Sequence, residues 1–201
     1  MSLPIDKFPE LTPCNYAAIR SQIRSGDILL ASGSAVFSKL IQQATNSIWS
    51  HVAFILRLDA IDRIMVLESV ESIGVRTVPL SSYLKDYNGT GQAYPGKLLI
   101  ARHDSFAGVD ITKLSQTAVD LLGYPYASED IAKIAAKIEM GKFGIDNKQP
   151  LIQSDKAFIC SEYVYTCYKS VGITIGYDQG GYIAPADYAK DQHINPVCML
   201  N

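Results

Sequence analysis

The sequence predicts an α+β fold, and three observations carry that expectation. Five short apolar runs with strand character lie between residues 28 and 102, whereas helical periodicity dominates after residue 109. The two runs flanking Asp59-Ala60-Ile61-Asp62 lie close enough in sequence to pair as an antiparallel hairpin. Strands clustered centrally with helices at either end favour α+β over a parallel doubly wound sheet. With 201 residues, 48% of them apolar and 19% charged, the chain can bury one full core, so a single domain over 1–201 is expected. There is no internal repeat, low-complexity tract or linker to divide it.

Taken in order, a short helix is expected around 15–23, followed by the turn Ser25-Gly26-Asp27 and the strand Ile28-Leu29-Leu30-Ala31. A helix begins near Ser34. Its apolar positions Phe37, Leu40, Ile41 and Ala44 recur at helical spacing, which packs it on a sheet. His51 opens a strand that runs to about 58. Further strands are expected over 64–69, 75–78 and 98–102, with a helix over 81–86. Helical periodicity returns over 109–122 and again over 129–139. The polar stretch 141–156 then precedes a helix over 160–170, and is either an active-site lid or a surface excursion.

Composition excludes several classes of function. Eighteen basic against twenty acidic side chains leave no electrostatic footprint for nucleic acid or an anionic membrane surface. No apolar run is long enough to span a bilayer, and no basic segment followed by an apolar run opens the chain. The expected compartment is therefore the cytoplasm, or the periplasm or exterior if an export signal was removed. Gly89-Thr90-Gly91 lacks the Lys-Ser/Thr and the flanking strand and helix of a phosphate-binding loop. Cys14, Cys160, Cys167 and Cys198 are scattered, without a C-x-x-C pair or metal-ligand spacing to the three histidines. Neither a disulfide framework nor a metal site is expected, and no cofactor. Cys167 falls in line with Val164, Tyr168 and Val171 as a small core residue, and the same reading serves Cys14 and Cys198.

Cys160 and His51 stand apart from this background. Cys160 opens the helix Cys160-Ser161-Glu162-Tyr163-Val164, where the dipole and unpaired N–H groups favour a thiolate. A backbone N–H at that position also offers one donor to a tetrahedral oxyanion. His51 opens an apolar strand that can hold an imidazole rigidly. If Leu58 pairs with Ile61, Glu68 lies directly opposite His51. If Leu58 pairs with Arg63, Glu68 is a diagonal neighbour on the same face. Both registers bring a carboxylate to the imidazole. The competing reading of each residue is structural: a packed cysteine, a histidine bonded to backbone, a solvated acid. Glu162 is a favourable first-turn charge with or without chemistry. His103, at a strand exit and expected at the surface, and His193 are weaker candidates for the base.

The residues Gly26-Asp27-Ile28-Leu29, Ser50-His51-Val52, Leu67-Glu68-Ser69, Gly74-Val75, Leu80 and Tyr83, Gly123-Tyr124-Pro125-Tyr126, Cys160-Ser161-Glu162-Tyr163-Val164 and Pro185-Ala186-Asp187 form an ordered set. In this set the chain resembles, over about 26–187, the circularly permuted branch of the NlpC-type papain-like superfamily, especially the YiiX-like proteins. The resemblance implies a papain-like fold with a central antiparallel sheet or partial barrel packed against helices. It maps the nucleophile to Cys160, the base to His51 and the orienting acid to Glu68. Tyr126 becomes the candidate second oxyanion donor, although a tyrosine after Pro125 is also a plain turn residue. The implied activity is a cysteine hydrolase, an amidase or peptidase acting through a thioester on a cell-wall peptide, small peptide or amino-acid amide. Lipid acyl transfer or phospholipase activity on the same fold is the alternative, with Phe143, Ile145, Leu151 and Ile152 either serving acyl chains or pinning their loop to the core. A non-catalytic binding module is the third.

Overall fold

A computed structural model describes residues 8, 11–34, 36–106, 108–128, 157–177 and 182–200. Its centre is a seven-stranded sheet: β1 Pro13–Cys14, β2 Ile28–Ala31, β3 His51–Leu58, β4 Arg63–Val70, β5 Gly74–Pro79, β6 Leu98–His103 and β7 Ile194–Leu200. The spatial order is β1-β7-β6-β2-β3-β4-β5. All neighbours are antiparallel except the short β1–β7 pair. The sheet is open, with β1 and β5 as its edges. Around it lie α1 Tyr16–Ile19, α2 Val36–Thr45, α3 Leu80–Lys85, α4 Ile111–Asp120, α5 Cys160–Lys169 and α6 Pro185–Lys190.

Period-two alternation sorts the strand residues into two cores. Val52, Phe54, Leu67 and Leu99 face one side, where Tyr163, Val164 and Cys167 of α5 and Leu114 of α4 cover them. Ala53, Ile55, Ile64, Val66 and Ile100 face the other, against Leu80 and Tyr83 of α3 and Ile23. Because both faces are covered, β2 is buried along its whole length and reads as a continuous apolar run.

Of the two registers open to the β3–β4 hairpin, the structure adopts Leu58 opposite Arg63. A two-residue loop would require positive φ at Asp59, and in a type I′ turn at Ala60 as well. The four-residue loop instead makes one short helical turn over Asp59–Ile61 and confines the left-handed conformation to Asp62, at φ 48°. Glu68 therefore lies diagonal to His51, on the same face.

The expected strands and helices up to 122 are present with ends shifted by one or two residues, except that the first helix is α-helical only over Tyr16–Ile19 and continues as a 3-10 turn over Arg20–Gln22. The expected helix over 129–139 and the stretch 141–156, with Phe143, Ile145, Leu151 and Ile152, lie outside the described residues. Three elements were not expected: β1, α6 and β7. Pro196 disguises β7, and the structure accommodates it at a bulge where Ile100 pairs with Cys198 and Ala101 with Pro196. This strand also corrects the reading of two cysteines. Cys14 and Cys198, on the adjacent strands β1 and β7, form a disulfide across 184 residues of sequence. Their pairing follows from a tertiary contact between the two ends of the chain, which spacing alone does not reveal. His103 is likewise buried rather than at the surface, at 4% exposure, because β7 and Phe106 cover the exit of β6. Among the described residues no helix is long and apolar enough to cross a membrane.

Candidate active site

Three elements meet at one end of β3. His51 is the first residue of that strand, so its ring sits where the sheet stops. The N-terminus of a helix packed on the opposite face can reach it there, and Cys160 is the first residue of α5. Glu68 comes from β4. All three line one cavity of about 250 Å³, together with Tyr126, Tyr94 and Ile183.

The strand period explains how β4 serves both partners. Glu68 points to the face of His51, and its Oε2 lies 2.7 Å from His51 Nε2. Its neighbour Ser69 points to the opposite face, where its hydroxyl donates to the Phe158 carbonyl at 2.6 Å, just ahead of Cys160. Two adjacent residues thus hold the histidine and the approach to the cysteine. Farther into the helix, the Ser161 hydroxyl donates to the Ile183 carbonyl at 2.7 Å, and Tyr188 of α6 donates to the Ser161 carbonyl at 2.7 Å. Glu162 is not at the cavity rim. Its carboxylate turns back to accept the Ile159 N–H at 3.3 Å, which makes it the first-turn charge of the helix.

Glu68 is fully buried and carries four short contacts. Besides His51, Oε2 accepts the Tyr83 hydroxyl at 2.6 Å, while Oε1 receives Arg76 Nε at 2.9 Å and Nη2 at 2.8 Å. Burial pushes this carboxyl up, but the hydrogen bond and charge of His51, the Tyr83 hydroxyl and the Arg76 charge outweigh it and hold it down at about 2. For His51, burial favours the neutral ring, yet the charge and hydrogen bond of Cys160, followed by those of Glu68, raise it to about 10. With Nε2 engaged by Glu68, Nδ1 is the nitrogen left for the sulfur. Tyr126 is raised above its ordinary value, chiefly by burial and then by the Cys160 charge, so its phenol stays a proton donor.

Tyr126 reaches the cavity because its segment is fixed at both ends. Val75 N–H donates to the Tyr124 carbonyl at 2.8 Å, and Phe158 N–H donates to the Pro125 carbonyl at 3.1 Å. The first of these requires Gly74, at φ +89°, since a Cβ there would collide with the Tyr124 carbonyl oxygen.

The remaining histidines and cysteines lie elsewhere. His103 and His193 stack on each other at the far end of β6 and β7, with centroids 5.5 Å apart. Cys167 is buried on the core side of α5, where burial lifts its thiol to about 12. The sequence reading overlooked Arg76 entirely and noted Tyr83 without a contact. A signal for Arg76 existed: a hairpin closing at Val70 and Gly74 sets it directly opposite Glu68, the pairing observed.

The fold is similar to the crystal structure of the metalloprotein YiiX from Escherichia coli O157:H7. The TM-score is 0.63 at 21% sequence identity, over 89% of this chain and 98% of that one. No curated protein matches the sequence. The profile of the permuted papain-like amidase family, YaeF/YiiX, C92, matches residues 22–190, and the chain belongs to that family of hydrolases.

Proposed function

We propose that this protein is a cysteine amidase, with Cys160 as nucleophile, His51 as acid and base, and Glu68 orienting the imidazole. The observation that carries the reading is the buried Glu68 carboxylate 2.7 Å from one nitrogen of a ring whose other nitrogen is left for Cys160. The Cys160 thiolate attacks the amide carbonyl carbon, and the oxyanion is met by the Cys160 N–H and the Tyr126 hydroxyl. The His51 imidazolium then gives its proton to the leaving amine as the C–N bond breaks, leaving a thioester. His51 next takes a proton from water, whose oxygen replaces sulfur at the carbonyl, so that acid and thiolate are released.

The cavity suits an amide of a small peptide or amino acid. Its apolar walls, including Ile41, Val70 and Ile183, favour as a second reading acyl transfer from a lipid, where an acceptor replaces water. No step is routed through a metal. YiiX of Escherichia coli is described as a metalloprotein, but here Glu68 already accepts from a guanidinium, a phenol and an imidazole, which leaves it unsuited to a cation. Among the described residues no three His, Cys, Asp or Glu side chains converge as ligands.

The test combines iodoacetamide alkylation with turnover of a panel of peptide and aminoacyl amides. Cys160 is expected to alkylate fastest among the free thiols at pH 7, and His51→Ala to slow it. Cys160→Ala is expected to abolish turnover. Equal alkylation rates with and without His51, or amide hydrolysis that survives Cys160→Ala, would overturn the proposal. Free acid as product supports the amidase, and acyl transfer from a phospholipid supports the second reading.

A further inference from the structure

We infer that Arg76 and Tyr83 are positioning residues that keep Glu68 ionised and aimed at His51, so that the reactive ion pair depends on two residues that never touch substrate. The inference rests on the proposed Cys160–His51–Glu68 reading and extends it one layer outward.

The geometry is that of a saturated carboxylate. Arg76, directly opposite Glu68 in the β4–β5 register, places two nitrogens on Oε1 at 2.9 and 2.8 Å, and Tyr83 donates to Oε2 at 2.6 Å from α3. These three donors come from elements on the side away from Cys160, and with His51 on Oε2 they fix the carboxylate in one orientation. Arg76 is itself anchored, with Nη2 3.2 Å from Asn88 Oδ1. Behind Tyr83 stand Tyr87 and Tyr94, with ring centroids 4.9 and 5.5 Å away, so its hydroxyl has little freedom to turn aside.

The charges that face Glu68 can be named by element: His51 from β3, Arg76 from β5, Tyr83 from α3, and the more distant phenols Tyr87 and Tyr94. Beyond His51 lies Cys160 at the start of α5. With thiolate, imidazolium, carboxylate and guanidinium present, two negative charges balance two positive ones. Without Arg76 the cluster holds one unbalanced negative charge in a buried site, and the carboxyl relieves it by taking up a proton at higher pH. A neutral Glu68 no longer supports the imidazolium, and the thiolate loses its partner.

The test is the pH profile of Cys160 alkylation by iodoacetamide on the full chain, in which sulfur displaces iodide. The wild type, Arg76→Gln, Arg76→Lys and Tyr83→Phe are compared, with His51→Ala as reference. Arg76→Gln is expected to move the acid limb upward by about one pH unit, which is about a tenfold slower reaction at any pH on that limb. The change at pH 8 stays under about threefold, because the carboxyl there is ionised again. Arg76→Lys, which keeps the charge and loses the fork, recovers part of the shift. Tyr83→Phe moves the limb in the same direction by less, and it decides the matter if Arg76→Gln does not fold. A lower rate at every pH with an unmoved acid limb, in whichever of these variants folds, overturns the positioning role. Alkylation of the wild type no faster than of His51→Ala overturns instead the catalytic reading on which it rests.

Discussion

Two histidine–carboxylate pairs in this molecule invite comparison. At one end of β3, His51 Nε2 meets Glu68 at 2.7 Å, and at the far end of β6 and β7, His193 Nδ1 meets Asp104 at 3.2 Å. The side chains of His193 and Asp104 are half exposed, at 50% and 51%, whereas that of Glu68 has no exposure at all. In water the second pair gains little, since solvent screens both charges and competes for both hydrogen bonds. The first pair is shielded, its carboxylate is saturated by Arg76 and Tyr83, and its imidazole faces a sulfur. The same two functional groups give a surface contact in one place and a candidate catalytic pair in the other. Burial and the third partner make the difference.

The comparison breaks most clearly at the proposed nucleophile. Cys160→Ala and His51→Ala are each expected to lower amide turnover by at least about a thousandfold. Circular dichroism should show both folded. Glu68→Gln comes next, with turnover falling by at least roughly a hundredfold, since a positioned acid–base group contributes about that much or more.

The same substitution sharpens the comparison through stability. Glu68 is depressed to about 2, so its contribution is present above the ordinary carboxylate value and is lost as pH falls through about 2. The gap in unfolding free energy between wild type and Glu68→Gln should be about 3–5 kcal/mol at pH 7, because the variant leaves Arg76 without its partner. Urea titrations should show that gap closing as pH is lowered from about 4.5 towards 2. His51 is raised, so its share is complete below its unfolded value and declines as pH rises through about 10. Removing the disulfide with Cys14→Ser and Cys198→Ser should lower stability by about 2–4 kcal/mol while the rate of Cys160 alkylation is kept. At the other extreme, His193→Ala should change turnover by less than about twofold. A large loss there would remove the distinction between the two pairs.

Legibility of the site in the sequence varied with the range of the interaction that makes it. Glu68 was placed on the face of His51 by parity, because both candidate hairpin registers preserve it. Arg76 follows from the same arithmetic one hairpin later. Tyr83 is different: its hydroxyl reaches Glu68 from α3, and no periodic rule connects a helix residue to a strand residue fifteen positions earlier. The burial of His103 and the Cys14–Cys198 disulfide depend on β7, whose pattern is interrupted by Pro196 and whose partner β6 lies nearly a hundred residues away.

By itself the sequence determined where elements begin. Cys160 starts a helix, His51 starts a strand, and two carboxylate-bearing registers leave Glu68 on one face, because apolar periodicity and hairpin parity are local properties of the chain. Only the tertiary structure decided that the helix N-terminus comes round the end of the sheet to the imidazole, and that Glu68 is sealed from water by Arg76 and Tyr83. Those outcomes depend on which faces the two cores cover, and burial is a property of the packed whole that no local window contains.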